Sequence, residues 1–141
     1  MIMTKVNKKS KKEYVFAVGK RKTATARVRL WKGNKESLVN GQVIGKYFTG
    51  ETTRSIWQKP FTLTDTLSKY YITVKVVGGG KKGQLQAVAH ATAKALNTLD
   101  SKKWRAALKK EGLLTRDSRI KERRMVGTGG KSRRQKQSPK R

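Results

Sequence analysis

Residues 70–99 read YYITVKVVGGGKKGQLQAVAHATAKALNTL, and this stretch decides the fold. Its first part, Tyr70–Val77, is β-branched or aromatic at nearly every position, as expected of a strand buried in a sheet. A glycine-rich loop follows, Gly78-Gly79-Gly80-Lys81-Lys82-Gly83. Beyond it, Leu85, Val88, Ala89, Thr92, Ala95, Leu96 and Leu99 recur at helical spacing and mark one apolar face. A second helix is expected to start at Asp100 or Ser101, either of which caps a helix N-terminus well. It places Trp104, Ala107 and Leu108 on one side and stops at Gly112. A strand feeding two amphipathic helices predicts an α+β fold of two layers, a sheet backed by helices.

Towards the N-terminus the pattern is that of a hairpin. Residues 14–18 read as a strand, residues 19–23 as a polar turn, and residues 24–31 alternate. Ala24, Ala26, Val28 and Leu30 face one side, and Thr25, Arg27, Arg29 and Trp31 face the other. Residues 37–39 form a short strand that ends in Asn40-Gly41, a strong turn signal. Short helical pieces are expected near residues 43–48 and 53–67. No internal repeat is visible.

Charge dominates the composition. The 141 residues hold 36 lysines and arginines against 8 acids, a formal net charge of +28. Like charges repel across a compact surface, so this excess implies a polyanionic partner. An anionic membrane fits poorly, because no stretch approaches the ~20 apolar residues of a span and the helix faces are of core type. Nucleic acid fits. The absence of cysteine removes disulfides and thiolate chemistry. The start, Met1-Ile2-Met3-Thr4-Lys5, lacks the apolar core of a secretory signal, which makes the cytosol the expected compartment. A protein made inside an organelle would share these features.

The charge is unevenly distributed. Lys5, Lys8, Lys9, Lys11 and Lys12 lie in the first twelve residues with no acid, and residues 116–141 carry eleven basic residues against Asp117 and Glu122. The only sizeable aliphatics in that last segment are Ile120, Met125 and Val126. It is too polar to offset the entropy of ordering by burial. The expected organisation is a disordered basic arm over residues 1–13, a folded RNA-binding domain over 14–115, and an extended basic tail over 116–141.

Several features invite a chemical reading. Gly78, Gly80 and Gly83 satisfy G-x-G-x-x-G between a strand and a helix, the setting of a dinucleotide site. That fold needs another strand ending in an acid about 20 residues on, yet a helix follows Asp100. Nor is this a phosphate-binding loop ending in Lys-Ser or Lys-Thr, since Gln84 follows Gly83. An RNA phosphate, attracted by Lys81, Lys82 and the helix dipole, is the better occupant. A plain tight turn with positive φ is the simpler alternative. His90, the sole histidine, has no carboxylate at helical spacing, so packing or an RNA contact is expected rather than proton transfer. The acids are scattered singly, without metal-ligand or acid–base spacing. No catalytic residue, metal or cofactor is expected. Lys20, Arg21 and Lys22 of the hairpin, with the outward Arg27 and Arg29, form a basic stripe suited to phosphates. In the tail Arg116, Arg119, Arg123, Arg124, Lys131, Arg133 and Arg134 are expected to do the same. Trp31, Trp57 and Trp104 have the side chain for base stacking, although core packing is expected for Trp104.

Four segments carry a family resemblance: Gly19-Lys20-Arg21-Lys22-Thr23-Ala24-Thr25-Ala26-Arg27-Val28; Val39-Asn40-Gly41; Gly78-Gly79-Gly80-Lys81-Lys82-Gly83-Gln84 with Lys94-Ala95-Leu96; and Leu114-Thr115-Arg116-Asp117-Ser118-Arg119 running to Lys140-Arg141. In this order they resemble the bacterial-type family of small-subunit ribosomal protein nine. The resemblance implies a small mixed sheet backed by helices, as in the second domain of ribosomal protein five. It also implies binding to small-subunit rRNA in the subunit head, beside neighbouring ribosomal proteins. By the same resemblance Lys140 and Arg141 touch peptidyl-site tRNA. The chain departs from the family pattern at Lys94, where arginine is usual, and at Ala89, where arginine often precedes the helix histidine. It departs again at Gln137-Ser138-Pro139, where an aromatic residue usually precedes Ser-Lys-Arg. Two rivals share some of these features. A DNA-compacting protein would share the charge, and a nucleotide-binding enzyme would use the glycine loop.

Overall fold

A computed structural model of the chain describes residues 13–141. The basic arm expected over residues 1–13 therefore lies, but for Glu13, outside the described residues. The elements run β1 (Tyr14–Arg21), β2 (Ala24–Lys32), β3 (Leu38–Val39), β4 (Gln42–Val43), α1 (Ile44–Tyr47), α2 (Glu51–Leu63), β5 (Tyr70–Val77), α3 (Lys81–Leu99) and α4 (Ser101–Lys110). The strands form one sheet in the order β1-β2-β5-β3-β4. β5 pairs antiparallel with β2 and parallel with β3, so the sheet is mixed. This is the expected α+β architecture.

The alternation of β2 sets the two sides. Ala24, Ala26, Val28 and Leu30 are buried with Ala17 of β1 and Ile72, Val74 and Val76 of β5. Helix α3 covers this face, and Trp57 and Phe61 of α2 and Leu108 of α4 complete the core. β5 lies at the centre of the sheet but is buried on one face only. The expectation of a wholly buried strand is corrected here: Tyr71, Thr73, Lys75 and Val77 point outward.

Two further local readings are corrected. Gly19 belongs to β1, which runs on to Arg21, and the turn is only Lys22-Thr23, with Lys22 at φ +52°. Glycine stands at 19 because α3 presses on the strand there. A Cβ would overlap the carbonyl oxygen of Ala87 and lie 2.6 Å from the backbone nitrogen of Ala91. The apolar side of α3 is also broader than one stripe. Ala87 and Ala91 are buried beside Leu85, Val88, Thr92 and Leu96, because the sheet, α2 and α4 pack around it. Leu99, expected on the core face, is 39% exposed at the helix end.

Asn40 explains how β3, only two residues long, stays on the sheet. It turns the chain at φ +49°, and its side chain takes the place of a further strand residue. Its Nδ2 donates to the Val76 carbonyl at 3.1 Å, and its Oδ1 accepts from the Val76 N–H at 2.9 Å. α4 begins as expected, with the Asp100 carboxylate accepting from the Lys103 N–H, and ends before Gly112 at φ +69°. Leu113 and Leu114 then pack against the core, while residues 116–141 contain no helix or strand.

Candidate nucleic-acid interface

Three basic surfaces emerge from this scaffold. The first is the outer face of β1, β2 and β5, which no described helix covers. Arg27 and Arg29 project from it as the alternation requires, and both are exposed. Lys75 of β5 stands directly opposite Arg27, a position the sequence reading missed. The signal is there, since Lys75 alternates with the buried Val74 and Val76.

The second surface joins the hairpin turn to the start of α3. A Cβ on Gly78 would lie 2.7 Å from the Thr23 carbonyl oxygen, so the two backbones touch. Gly78 and Gly79 adopt φ +77° and +63°, which satisfies the tight-turn reading of the loop. Lys81 and Lys82, expected in the loop, are instead the first two residues of the helix. Two cations and no acid in a first turn oppose the helix dipole. Lys81 folds back so that its Nζ lies 3.2 Å from the centroid of the Tyr47 ring. Gln84 ties the loop internally, donating to the Gly78 carbonyl at 3.0 Å and accepting from the Tyr47 hydroxyl at 2.8 Å. Lys20, Lys22 and Lys82 are exposed.

Arg21 is placed differently from its neighbours. Its side chain is only 12% exposed. Its Nε donates to Gln86 Oε1 at 2.7 Å, and its Nη1 donates to the Arg119 carbonyl at 2.7 Å and lies 3.2 Å from the Asp117 carboxylate. Asp117 also receives the guanidinium and backbone N–H of Arg119. Those hydrogen bonds, and the nearby charge of Arg21, hold its carboxyl well below the usual carboxylate range. Arg21, expected as a phosphate ligand, thus fastens the root of the tail to the domain. The sequence carries no sign of this, because the partners are 98 positions apart.

His90 belongs to the same junction. Its Nε2 lies 3.4 Å from the Leu114 carbonyl, and its buried Nδ1 has no partner. Burial lowers its pKa below the ordinary value, the Leu114 contact opposes this, and the charges of Lys94 and Arg116 add to the lowering. It is a packed imidazole whose surroundings favour the neutral form. Lys94 donates to the Val18 carbonyl at 3.0 Å, a single contact that an ammonium makes as well as a guanidinium. Among the described residues no three histidine or acidic side chains come together to hold a metal.

The third surface is the tail. Arg116, Arg123, Arg124, Lys131, Arg133, Arg134, Lys140 and Arg141 are all exposed and irregular in backbone. Among the described tryptophans, Trp57 is buried and Trp104 packs edge-on to Tyr70, while Trp31 lies on the outer sheet face between Tyr14 and Tyr71.

A family model described as ribosomal protein S9/S16 matches residues 19–141, from the strand glycine to the last arginine. The chain belongs to the ribosomal protein S9/S16 family. It is 46% identical over 117 residues to the small ribosomal subunit protein uS9 of Dehalococcoides mccartyi strain CBDB1, covering 83% of this chain and 88% of that one. To uS9 of Maridesulfovibrio salexigens it is 45% identical over 119 residues, covering 84% and 91%. Members of the S9/S16 family are structural ribosomal proteins, so this chain is not an enzyme. The glycine loop is a tight connection between β5 and α3 that lies against the hairpin turn. No described helix is long and apolar enough to cross a membrane.

Proposed function

We propose that this chain is a structural constituent of the small ribosomal subunit that binds rRNA in the subunit head and sends its tail to peptidyl-site tRNA. The observation that supports this is the division of its charge. Exposed cations line the outer sheet face, the hairpin and α3 start, and the tail. One of the tail's two acids, Asp117, is engaged in the clasp. Lys20, Lys22, Arg27, Arg29, Lys81 and Lys82 anchor the domain on phosphates, and neighbouring proteins of the head complete its surroundings. Arg21 serves the same end indirectly by aiming the tail.

Arg116, Arg123, Arg124, Lys131, Arg133 and Arg134 follow the RNA backbone, with Arg119 at their head, held by Asp117. The 22 residues from Ile120 to Arg141 lie beyond the clasp and reach at most roughly 73–79 Å when extended. That reach brings Lys140 and Arg141 to tRNA from a remote rRNA site. Pro139 holds φ near −65° and keeps Ser138 extended, which stiffens the final approach. The ribosome is the expected location, cytoplasmic in a bacterium.

Fractionating a lysate on a sucrose gradient tests the assignment, with co-sedimentation with the small subunit as the expected result. Equal affinity of the purified chain for duplex DNA and for structured small-subunit rRNA would count for a general DNA-compacting protein instead. Removal of residues 139–141 is expected to leave assembly intact and to speed tRNA release from the peptidyl site. Unchanged release would separate the tail tip from tRNA.

A further inference from the structure

The outer face of the sheet carries more than charge. The register sets its side chains in rows across β1, β2 and β5. Tyr14, Trp31 and Tyr71 form one row, then Phe16, Arg29 and Thr73, then Val18, Arg27 and Lys75. Successive rows are two residues apart along the strands, roughly 6.6 Å. Tyr14 and Trp31 have ring centroids 4.9 Å apart, and Trp31 and Tyr71 are stacked at 6.4 Å. The Trp31 indole is locked by its hydrogen bond to Thr73 Oγ1 at 3.0 Å, and Arg29 lies 5.3 Å from the centroid of the Tyr14 ring. Phe16 is 53% exposed beside this row. An open groove of about 760 Å³ runs past Phe16, Arg27, Arg29 and Lys75, with the Asn40-Gly41 turn as its rim.

The three strands contain no acidic residue, and Arg27, Arg29 and Lys75 make no ion pair among the described residues. Solvent alone does not account for rigid aromatic rings interleaved with unpaired cations on an uncovered sheet. Duplex RNA offers phosphates but hides the faces of its bases. Unpaired RNA offers both at once, because its bases are free to stack on aromatic rings and guanidinium planes. The core of a protein interface, by contrast, is depleted in lysine and would have to supply acids against all three cations.

We propose that this face binds an unpaired stretch of RNA, with a base stacked on Phe16 and phosphates held by Arg27 and Lys75. The proposal rests on the rRNA-binding reading above and names a mode of recognition within it. Phe16 is the group to change, since its exposed ring contributes little to the core. The full chain is titrated with an unpaired ten-nucleotide RNA and with a duplex of equal length. The unpaired strand is expected to bind more tightly. Phe16→Ala is expected to weaken its binding about tenfold, within the range of one base–aromatic stack. Phe16→Tyr should keep the affinity, and both variants should keep the duplex affinity and the unfolding midpoint. In reconstituted small subunits, ultraviolet light should join the peptide containing Phe16 to a nucleotide. Equal binding of Phe16→Ala and the parent to the unpaired strand would overturn the proposal, as would a cross-link from this peptide to a neighbouring protein instead of RNA. If the whole chain failed to bind small-subunit rRNA, the functional reading would fall as well, so the two failures are distinguishable.

Discussion

The domain and the tail are both strongly basic, yet they hold their charges by opposite means. In the domain the outer-face cations project from strands whose other face is buried: Arg27 and Arg29 stand back to back with Val28 and Leu30, and Lys75 with Val74 and Val76. Their positions are set by packing before any partner arrives. From Ile120 onward no residue is even partly buried except Thr128, and no helix or strand fixes a direction. The domain presents its cations at fixed positions, whereas the tail has charge and reach without a fixed direction. The clasp of Arg21, Asp117 and Arg119 is where one regime hands over to the other.

The sharpest way to break this contrast is a pair of changes with opposite effects. Leu108→Ala empties a fully buried site where α4 meets the core, and should lower unfolding free energy by about 2–5 kcal/mol in urea titrations. Removing residues 120–141 should leave that free energy within about 0.5 kcal/mol. For RNA the order reverses. The truncation deletes nine basic residues, and the slope of log affinity against log salt should shrink by roughly 0.7–0.9 for every phosphate that they neutralise. A truncated chain with an unchanged slope would show that the tail does not follow RNA.

Gly19→Ala ranks next. The new methyl group meets backbone atoms of α3, which cannot swing aside as a side-chain tip would. The expected loss is about 1–3 kcal/mol by overpacking, read as a lower midpoint with an unchanged denaturant slope. Gly41→Ala has free space around it, so its cost would be purely conformational, from φ +82°. Equal losses at the two positions would deny that close helix packing is the reason for Gly19.

The same two glycines show how far the sequence can be read. Residues 70–99 disclose the strand and the helix because periodicity is a local signal. Gly19 in a run of lysines and arginines looks like part of a turn, because the contact that requires it comes from α3, some 70 residues later. Arg27 and Arg29 are legible from alternation alone. Lys75 escapes notice because the β-branched run around it reads as a buried strand, which masks its alternation with Val74 and Val76. Arg21 misleads for the same reason as Gly19. A charged residue in a basic cluster gives no sign of its pairing with the distant carboxylate of Asp117. Local chemistry is legible, and long-range pairing is not.

Loosening the clasp tests the handover itself. Asp117→Asn removes the charge that Arg21 and Arg119 share, and amide exchange from Leu114 to Arg119 should quicken while that of β2 and β5 does not. The lowered carboxyl pKa of Asp117 gives the sign of the pH effect. Its contribution is present above the ordinary carboxylate range and fades only as pH falls below it, so the clasp should persist in mild acid. Exchange at these amides that rose already near pH 5 would mean that some other group holds the tail root.

His90 supplies the smallest expected effect, and one confined to the domain side of the junction. Its Nε2–H donates to the Leu114 carbonyl while the buried Nδ1 stays bare, so a second proton would create a buried donor without a partner. Burial is thus the leading cause of its lowered pKa. The folded state binds fewer protons than the unfolded state in the window just below the ordinary value of 6.5. Stability from this group is complete above about that pH and declines as pH falls through the window towards the folded pKa. The His90 ring resonances should therefore titrate with a midpoint below 6.5, and exchange at Leu113–Thr115 should rise over the same interval. His90→Gln should abolish the dependence, since an amide does not titrate there. Because Asp117 keeps its charge throughout this interval, the clasp at Arg119 should stay closed while the Leu114 contact loosens. The domain end of the junction and the tail end would then respond to acid separately.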